Sequence, residues 1–325
     1  MAALSDRLFL LTVLIDSAAM VAWAADLAFR RREVSIIRLS DAVPARQLVG
    51  AGAPVPPAGR DPARPTGSLA RTAESAPADD RWGLPARVAL VLTGAGWLAH
   101  LASIVTRGLA ARRVPWGNMF EFSTVVAFVA VTAFLVLLVR ERARWLGVFV
   151  LLPVVLYLGF AGVVLYAPAA PLVPALNSYW LKIHVVAAMS ATGLFFVSGV
   201  GAILYLVKLR KPDAPVMSRL PAVDQLDRVT YGVIALSFPI WTFAVIAGAI
   251  WAESAWGRYW GWDPKETWSF ITWVIYAGYL HARATAGWKG KRAAWFAVAA
   301  FAALIVNYYV VNMYIIGLHS YAGVK

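Results

Sequence analysis

Long apolar segments separated by short polar ones make up most of this chain. A helix that crosses a bilayer needs about 20 predominantly apolar residues, and eight segments come close to or exceed that length. The pattern predicts an all-α fold, a polytopic membrane helix bundle with about eight transmembrane helices. We place the helices at 7–29, 87–106, 119–139, 146–166, 181–207, 229–251, 267–285 and 294–317.

Residues 30–86, which follow the first predicted helix, differ from the rest of the chain. They are rich in Pro, Gly, Ala and Arg and contain few bulky apolar residues. Such a composition cannot bury enough surface to offset the entropy of ordering. We predict three regions: a first transmembrane helix at 1–29, with no cleavable signal pattern, a disordered cytoplasmic loop at 30–86, and a membrane domain at 87–325.

The composition also indicates a membrane protein, because 61% of the residues are hydrophobic and 14% are charged, against about 25% charged in a soluble domain. The net charge of +13 does not indicate a nucleic-acid partner. The basic residues lie in loops, where membrane orientation and contact with anionic lipids of the bilayer explain them. With the N-terminus outside, 22 of the 30 Lys and Arg residues face the cytoplasm. We therefore predict that both termini are external, as is the loop between the sixth and seventh helices.

That external loop belongs to the stretch WAESAWGRYWGWDPKETW and is unusually rich in tryptophan. We call residues 252–268 the tryptophan loop. Single tryptophans are common at membrane interfaces, but four within thirteen residues, interleaved with glycine, form a denser arrangement. Glycines let a backbone approach a flat partner closely, and indoles stack on large π-systems. The pattern favours a platform for a flat aromatic ligand over an interfacial belt. The candidate residues are Trp256, Gly257, Trp260, Gly261, Trp262 and Trp268.

The end of the tryptophan loop carries a helix-start signal. Asp263 is followed by Pro264 and, three residues after the Asp, by Glu266. This order is typical of a capping box with proline at the first helical position. We predict that the tetrapeptide starts the seventh helix, a role that does not exclude a part in binding.

Four histidines and the absence of cysteine limit the metal chemistry of the chain. His184 lies near the outer end of the fifth helix, and His319 follows the eighth. On the predicted orientation both reach the layer of the tryptophan loop, where two imidazoles on opposite faces of a porphyrin would complete six-coordinate iron. Either histidine alone would be read as an interfacial polar residue. Together with the loop they indicate haem.

The other two histidines lie within predicted helices. Ionisable residues inside a membrane are costly, so each is a candidate functional residue. His100 lies in the second helix, where an interhelical hydrogen bond is the alternative. His281 lies near the inner end of the seventh, where it could instead reach the cytoplasmic interface.

Two cations in the tryptophan loop are candidates for holding the haem carboxylates. Arg258 and Lys265 lie on the external side, close to the positive end of the seventh helix dipole. We predict that they pair with the propionates.

The residues resemble a known family. WGRYWGWDPKETW is similar to the WWD signature of haem-handling proteins, and its DPKETW ending resembles the CcsA/ResC branch of System II cytochrome c biogenesis, called CcsB in some bacteria. VPWGNMFEF at 114–122 and NYYVVNMYIIGLHSYA at 307–322 extend the resemblance. It covers residues 88 to 322, and leaves the loop at 30–86 unexplained.

The resemblance implies a function and a set of site residues. His184 and His319 match the external axial ligands of haem b, while His281 and, less closely, His100 match transmembrane histidines that receive it. The implied activity is to move haem across the bacterial plasma membrane and present it outside. Thioether bonds then form with the CXXCH thiols of an apocytochrome c, as part of a cytochrome c synthase (haem lyase). A ResB-like membrane partner, absent from this chain, is implied as well.

Three other interpretations remain. A System I protein of the CcmC or CcmF type shares the WWD loop but not the DPKETW ending. A bis-histidine membrane electron-transfer cytochrome would use histidine pairs staggered across the bilayer, without a dense external tryptophan loop. A solute transporter would show paired helix interruptions in two corresponding halves.

Overall fold

The computed structural model describes residues 1–29, 82–170 and 178–319. The predicted loop at 30–86 lies outside these residues except for its last five positions. Eight long helices make up the described part of the chain. They are α1 (Ala2–Phe29), α2 (Leu84–Ala111), α3 (Met119–Arg140), α4 (Gly147–Val164), α5 (Tyr179–Arg210), α6 (Val223–Trp256), α7 (Pro264–Thr285) and α8 (Lys291–Ile305), which continues through a π-helical turn (Val306–Val310) and a last α-helical turn (Val311–Tyr314).

The all-helical membrane bundle is confirmed. Among the described residues, seven helices are long and apolar enough to span a bilayer. The exception is α7, whose 22 residues suffice in length, while Lys265, Glu266 and Arg283 near its ends lower its apolar character. The chain is a multi-pass membrane protein.

Polar contacts tie the helix ends together at both ends of the bundle. At one end, the buried carboxylate of Glu121 on α3 accepts from Arg107 at the end of α2, at 3.1 Å. Asp6 of α1 lies 3.6 Å from Arg107 and accepts from Tyr166, which follows α4. At the other end, Arg283 of α7 donates two hydrogen bonds to Asp227 of α6, at 2.7 and 2.9 Å. Consecutive helices therefore run up and down.

Small residues allow close helix packing within the bundle. A Cβ added at Gly147 would lie 2.6 Å from the Trp23 ring, and one at Gly199 would lie 2.5 Å from the Phe301 ring. In lipid, where the hydrophobic effect does not drive helices together, such close contact supplies much of the packing energy.

Candidate functional site

A large cavity opens at the end of the bundle where Glu121 and the start of α1 lie. It has about 1260 Å³ of empty space, part of it open to solvent. Its walls come from the starts of α3, α5 and α7, the end of α6, the π-helical turn and His319. Its lining includes five tryptophans and two histidines: Trp116, Trp241, Trp251, Trp256, Trp260, His184 and His319. The structure thus brings both predicted external histidines to one cavity beside the tryptophan loop.

The backbone of α6 holds the His184 ring in place. Its Nδ1 lies 2.8 Å from the carbonyl oxygen of Ala244. Because a carbonyl can only accept, Nδ1 carries the proton and Nε2 is the ring nitrogen suited to metal coordination. Gly248, one turn further on, makes room for the ring, since a Cβ there would lie 2.7 Å from the imidazole Cε1 and Nδ1.

His319 is held by the capping aspartate of α7. Its Nδ1 lies 2.8 Å from Oδ1 of Asp263. That carboxylate also accepts from the backbone N–H of Leu318 at 2.6 Å and of Lys265 at 3.1 Å. Burial alone would raise the pKa of Asp263, but these donors outweigh it and the pKa lies below its usual 3.8. The carboxylate therefore stays charged and directs His319 Nδ1–H towards itself.

Trp251 connects the two histidines. Its ring centroid lies 6.3 Å from that of His184, with the planes within 10° of parallel, and 6.1 Å from that of His319. It is 2% exposed, and Trp256 adds a second indole edge 5.0 Å from His319. Trp251 was not among the predicted site residues, because its position near the end of an apolar run gives it the pattern of a core residue.

The chain resembles known proteins over about two thirds of its length. A model of the cytochrome c assembly protein family matches residues 116–319, which hold every wall of the cavity. The chain belongs to the cytochrome c assembly protein family. A cytochrome c biogenesis protein CcsA from Gloeothece citriformis is 36% identical over 276 residues, which cover 69% of this chain and 84% of the relative. Those from Picosynechococcus and Trieres chinensis are 35% and 34% identical, over 71% and 66% of this chain and 88% and 80% of theirs.

In this assembly protein the tryptophan loop is more helical than predicted. Helix α6 continues to Trp256 and ends where Gly257 takes φ +68°, because neither Gly nor Pro occurs between Trp251 and that glycine. The irregular part is therefore 257–263. Trp256 and Trp260 line the cavity, whereas Trp268 does not. Trp262 is 66% exposed, with φ +56°, and is not part of the cavity lining.

The predicted capping box of the assembly protein is confirmed. The Asp263 side chain accepts from Lys265 N, and Glu266 Oε2 accepts from the backbone N–H of Asp263 at 3.0 Å and of Gly261 at 2.8 Å. The same residues that start α7 thus fix the loop that carries Trp260.

The two predicted carboxylate partners differ in position. Lys265 lines the cavity and donates to the carbonyl of Asn307 and to Oδ1 of Asn312, both at 3.0 Å. The π-helical turn presents this Asn307 carbonyl, and such turns are frequent at functional sites. Arg258 is exposed and its guanidinium covers the backbone of Gly261, where a Cβ would lie 2.2 Å from Arg258 Cζ. It is not a cavity residue.

The structure does not bring the two helix histidines together. His100 is 1% exposed, lies edge-on to Phe128 at 5.6 Å, and belongs to the face of α2 buried in the bundle. His281 is exposed near the end of α7 that is remote from the cavity.

Proposed function

We propose that this assembly protein binds haem b in the cavity between His184 and His319, having moved it across the membrane, and presents it for attachment to apocytochrome c. The observation that carries the proposal is the paired support of the two imidazoles. Each uses Nδ1 for a backbone or carboxylate acceptor, at 2.8 Å in both cases. Metal-binding histidines are typically oriented in this way through the nitrogen that does not bind the metal.

The donor set suits an iron porphyrin better than a bare ion. Among the described residues no group of three or more His, Asp or Glu side chains is placed to hold a metal ion. Two imidazoles satisfy only the axial positions, so the remaining ligands must come with the metal. The indoles of Trp251, Trp256 and Trp260 supply flat apolar surface for a macrocycle.

In this proposal the residues of the chain position the haem and do not themselves react with it. The indoles fix the plane of the macrocycle, and the two imidazoles fix its centre. When bound, haem supplies the vinyl groups that form thioethers with the CXXCH thiols of the apocytochrome. Because the thiols belong to the substrate, this chain needs no cysteine, and it has none. A ResB-like partner completes the synthase. The complex lies in the plasma membrane of a bacterium, and the tryptophan loop is on the extracytoplasmic side of that membrane.

The test is reconstitution of attachment. The chain, co-purified with its partner and haem, is incubated under reducing conditions with a CXXCH peptide, and thioether-linked haem is measured by its retention on the peptide in denaturing gels. We expect linkage with the wild type and at least a tenfold loss with His319→Ala. Tightly bound haem that is never transferred would instead favour an electron-transfer cytochrome.

Gly248 offers a separate check on the placement of His184. We expect Gly248→Ala to displace the imidazole and lower haem affinity on the order of tenfold. Gly232→Ala on the same helix is the control, since a Cβ there meets nothing within 4 Å. Replacing glycine by alanine inside a helix stabilises the helix by about 0.5–1 kcal/mol in both variants. A loss of haem affinity that occurs only in Gly248→Ala therefore cannot come from a weakened α6. Equal affinities in a haem titration would contradict the placement.

A further inference from the structure

The cavity has a wall that the tryptophan loop does not provide. The turn before α3, consisting of Trp116, Gly117 and Asn118, lines it together with the first residue of that helix, Met119. This wall, which we call the α3 turn, lies outside the WWD signature.

A buried charge network holds the α3 turn in place. Glu121, fully buried, accepts from the guanidinium of Arg113 at 2.7 and 3.1 Å and from Gly117 N at 2.8 Å. Asn118 caps α3 by accepting from Glu121 N at 2.8 Å. Gly117 is packed on the guanidinium of Arg113, where a Cβ would lie 2.8 Å from its atoms. The turn is therefore a fixed wall of the cavity.

Hydrogen-bond donors line the cavity at the starts of α3 and α7. The N-termini of α3 and α7 both reach it, and each helix start carries a partial positive charge. Two of the three ammonium N–H groups of Lys265 are used within the described residues, by Asn307 and Asn312, which leaves one. The indole N–H of Trp116 is shielded from solvent and has no acceptor among the described residues. A buried donor of this kind calls for an acceptor supplied by a ligand or water.

A carboxylate would not bind next to the hydrogen-bond acceptors of the cavity. Glu266 Oε1 and Asn307 Oδ1 are buried without a donor among the described residues. A carboxylate can only accept, so it would be placed at the donors instead. Two donors in the lining are Trp116 Nε1, which has no acceptor among the described residues, and Lys265 Nζ.

We propose that the carboxylate edge of bound haem lies against the α3 turn, with the Trp116 indole N–H and the Lys265 ammonium as its donors. The inference rests on the proposed function and adds the orientation of the ligand within the site. It assigns Trp116 a binding role and removes Arg258 from the propionate contacts.

The experiment compares haem with its dimethyl ester, whose carboxylates are blocked. Trp116→Phe removes the N–H and keeps most of the ring. We expect the wild type to prefer haem over the ester, and the variant to lose about tenfold of that preference, as for a hydrogen bond to a charged group. Lys265→Met should also lose preference, and Arg258→Gln should retain it. Trp145→Phe is the matched control, because the Trp145 indole N–H is likewise buried without an acceptor among the described residues but lies away from the cavity.

The outcomes separate the inference from the proposed function. Equal losses of haem and ester in Trp116→Phe would mean that the ring only packs, and an unchanged preference would mean that the N–H meets no carboxylate. Either result overturns the inference and leaves haem binding intact. A wild type that binds neither ligand overturns both.

Discussion

His184→Ala and His319→Ala are each expected to convert bound haem from a six-coordinate low-spin to a five-coordinate high-spin species. Each variant removes one of the two imidazoles that we propose as axial ligands. Removing an orienting residue costs about 10–100-fold in metal affinity, and loss of a ligand should cost at least as much. The measurement is the optical spectrum of haem that co-purifies with each variant, together with its molar ratio to protein.

His100→Ala is the matched control for these variants. It removes an imidazole that is 1% exposed and lies outside the cavity. We expect the haem in the cavity to keep its low-spin spectrum in this variant, even if the packing of α2 is weakened. A low-spin spectrum that survives in both His184→Ala and His319→Ala would place the haem elsewhere.

Asp263→Asn is expected to give the second large effect. Asparagine is as good an N-cap as aspartate, so α7 should still begin at Pro264. The substitution removes the carboxylate charge that faces His319 Nδ1–H at 2.8 Å. We expect a loss of haem affinity of about 10–100-fold, with a small fall in the thermal unfolding midpoint because the stabilising charge is lost.

Asp227→Asn is the control for this variant. Asp227 is also a paired carboxylate, but it binds Arg283 at the opposite end of the bundle. Haem affinity should be unaffected there. If the two variants lowered haem affinity equally, the effect at Asp263 would reflect general destabilisation.

The lowered pKa of Asp263 predicts how this contact responds to pH. A carboxyl whose pKa is lower in the folded state stabilises the fold above its unfolded value, near 3.8, and loses that contribution as the pH falls through the lower folded value. The Asp263–His319 contact should therefore persist through mildly acidic conditions. Loss of haem above pH 4 would have to come from other groups.

The sequence was sufficient to predict the helix bundle and to predict that His184 and His319 lie at the same end of it as the tryptophan loop. Apolar length located the spans, and capping chemistry located the start of α7 at Asp263–Pro264. The predicted end of α6 was 251 and not Trp256. The apolar run stops near 251, but the residues that follow it still favour a helix. The missing signal was Gly257, which ends the helix in a left-handed conformation.

Other parts of the site depend on contacts that no local pattern reveals. Trp251 and Asn307 lie in apolar runs and have the pattern of core residues, yet helix packing turns both towards the cavity. Trp116 lies in the resembling stretch VPWGNMFEF, but only the fold places it opposite the tryptophan loop. Arg258 was grouped with Lys265 by sequence proximity, although the loop directs the two side chains differently.

The central claim is that one iron porphyrin is bound between His184 and His319. It is tested most directly by a structure of the protein purified with haem and its partner. The account predicts a single haem in the cavity, coordinated through Nε2 of both imidazoles, with His184 Nδ1 still bonded to Ala244 and His319 Nδ1 to Asp263. A haem bound outside this cavity, or one coordinated by neither of these histidines, would contradict it.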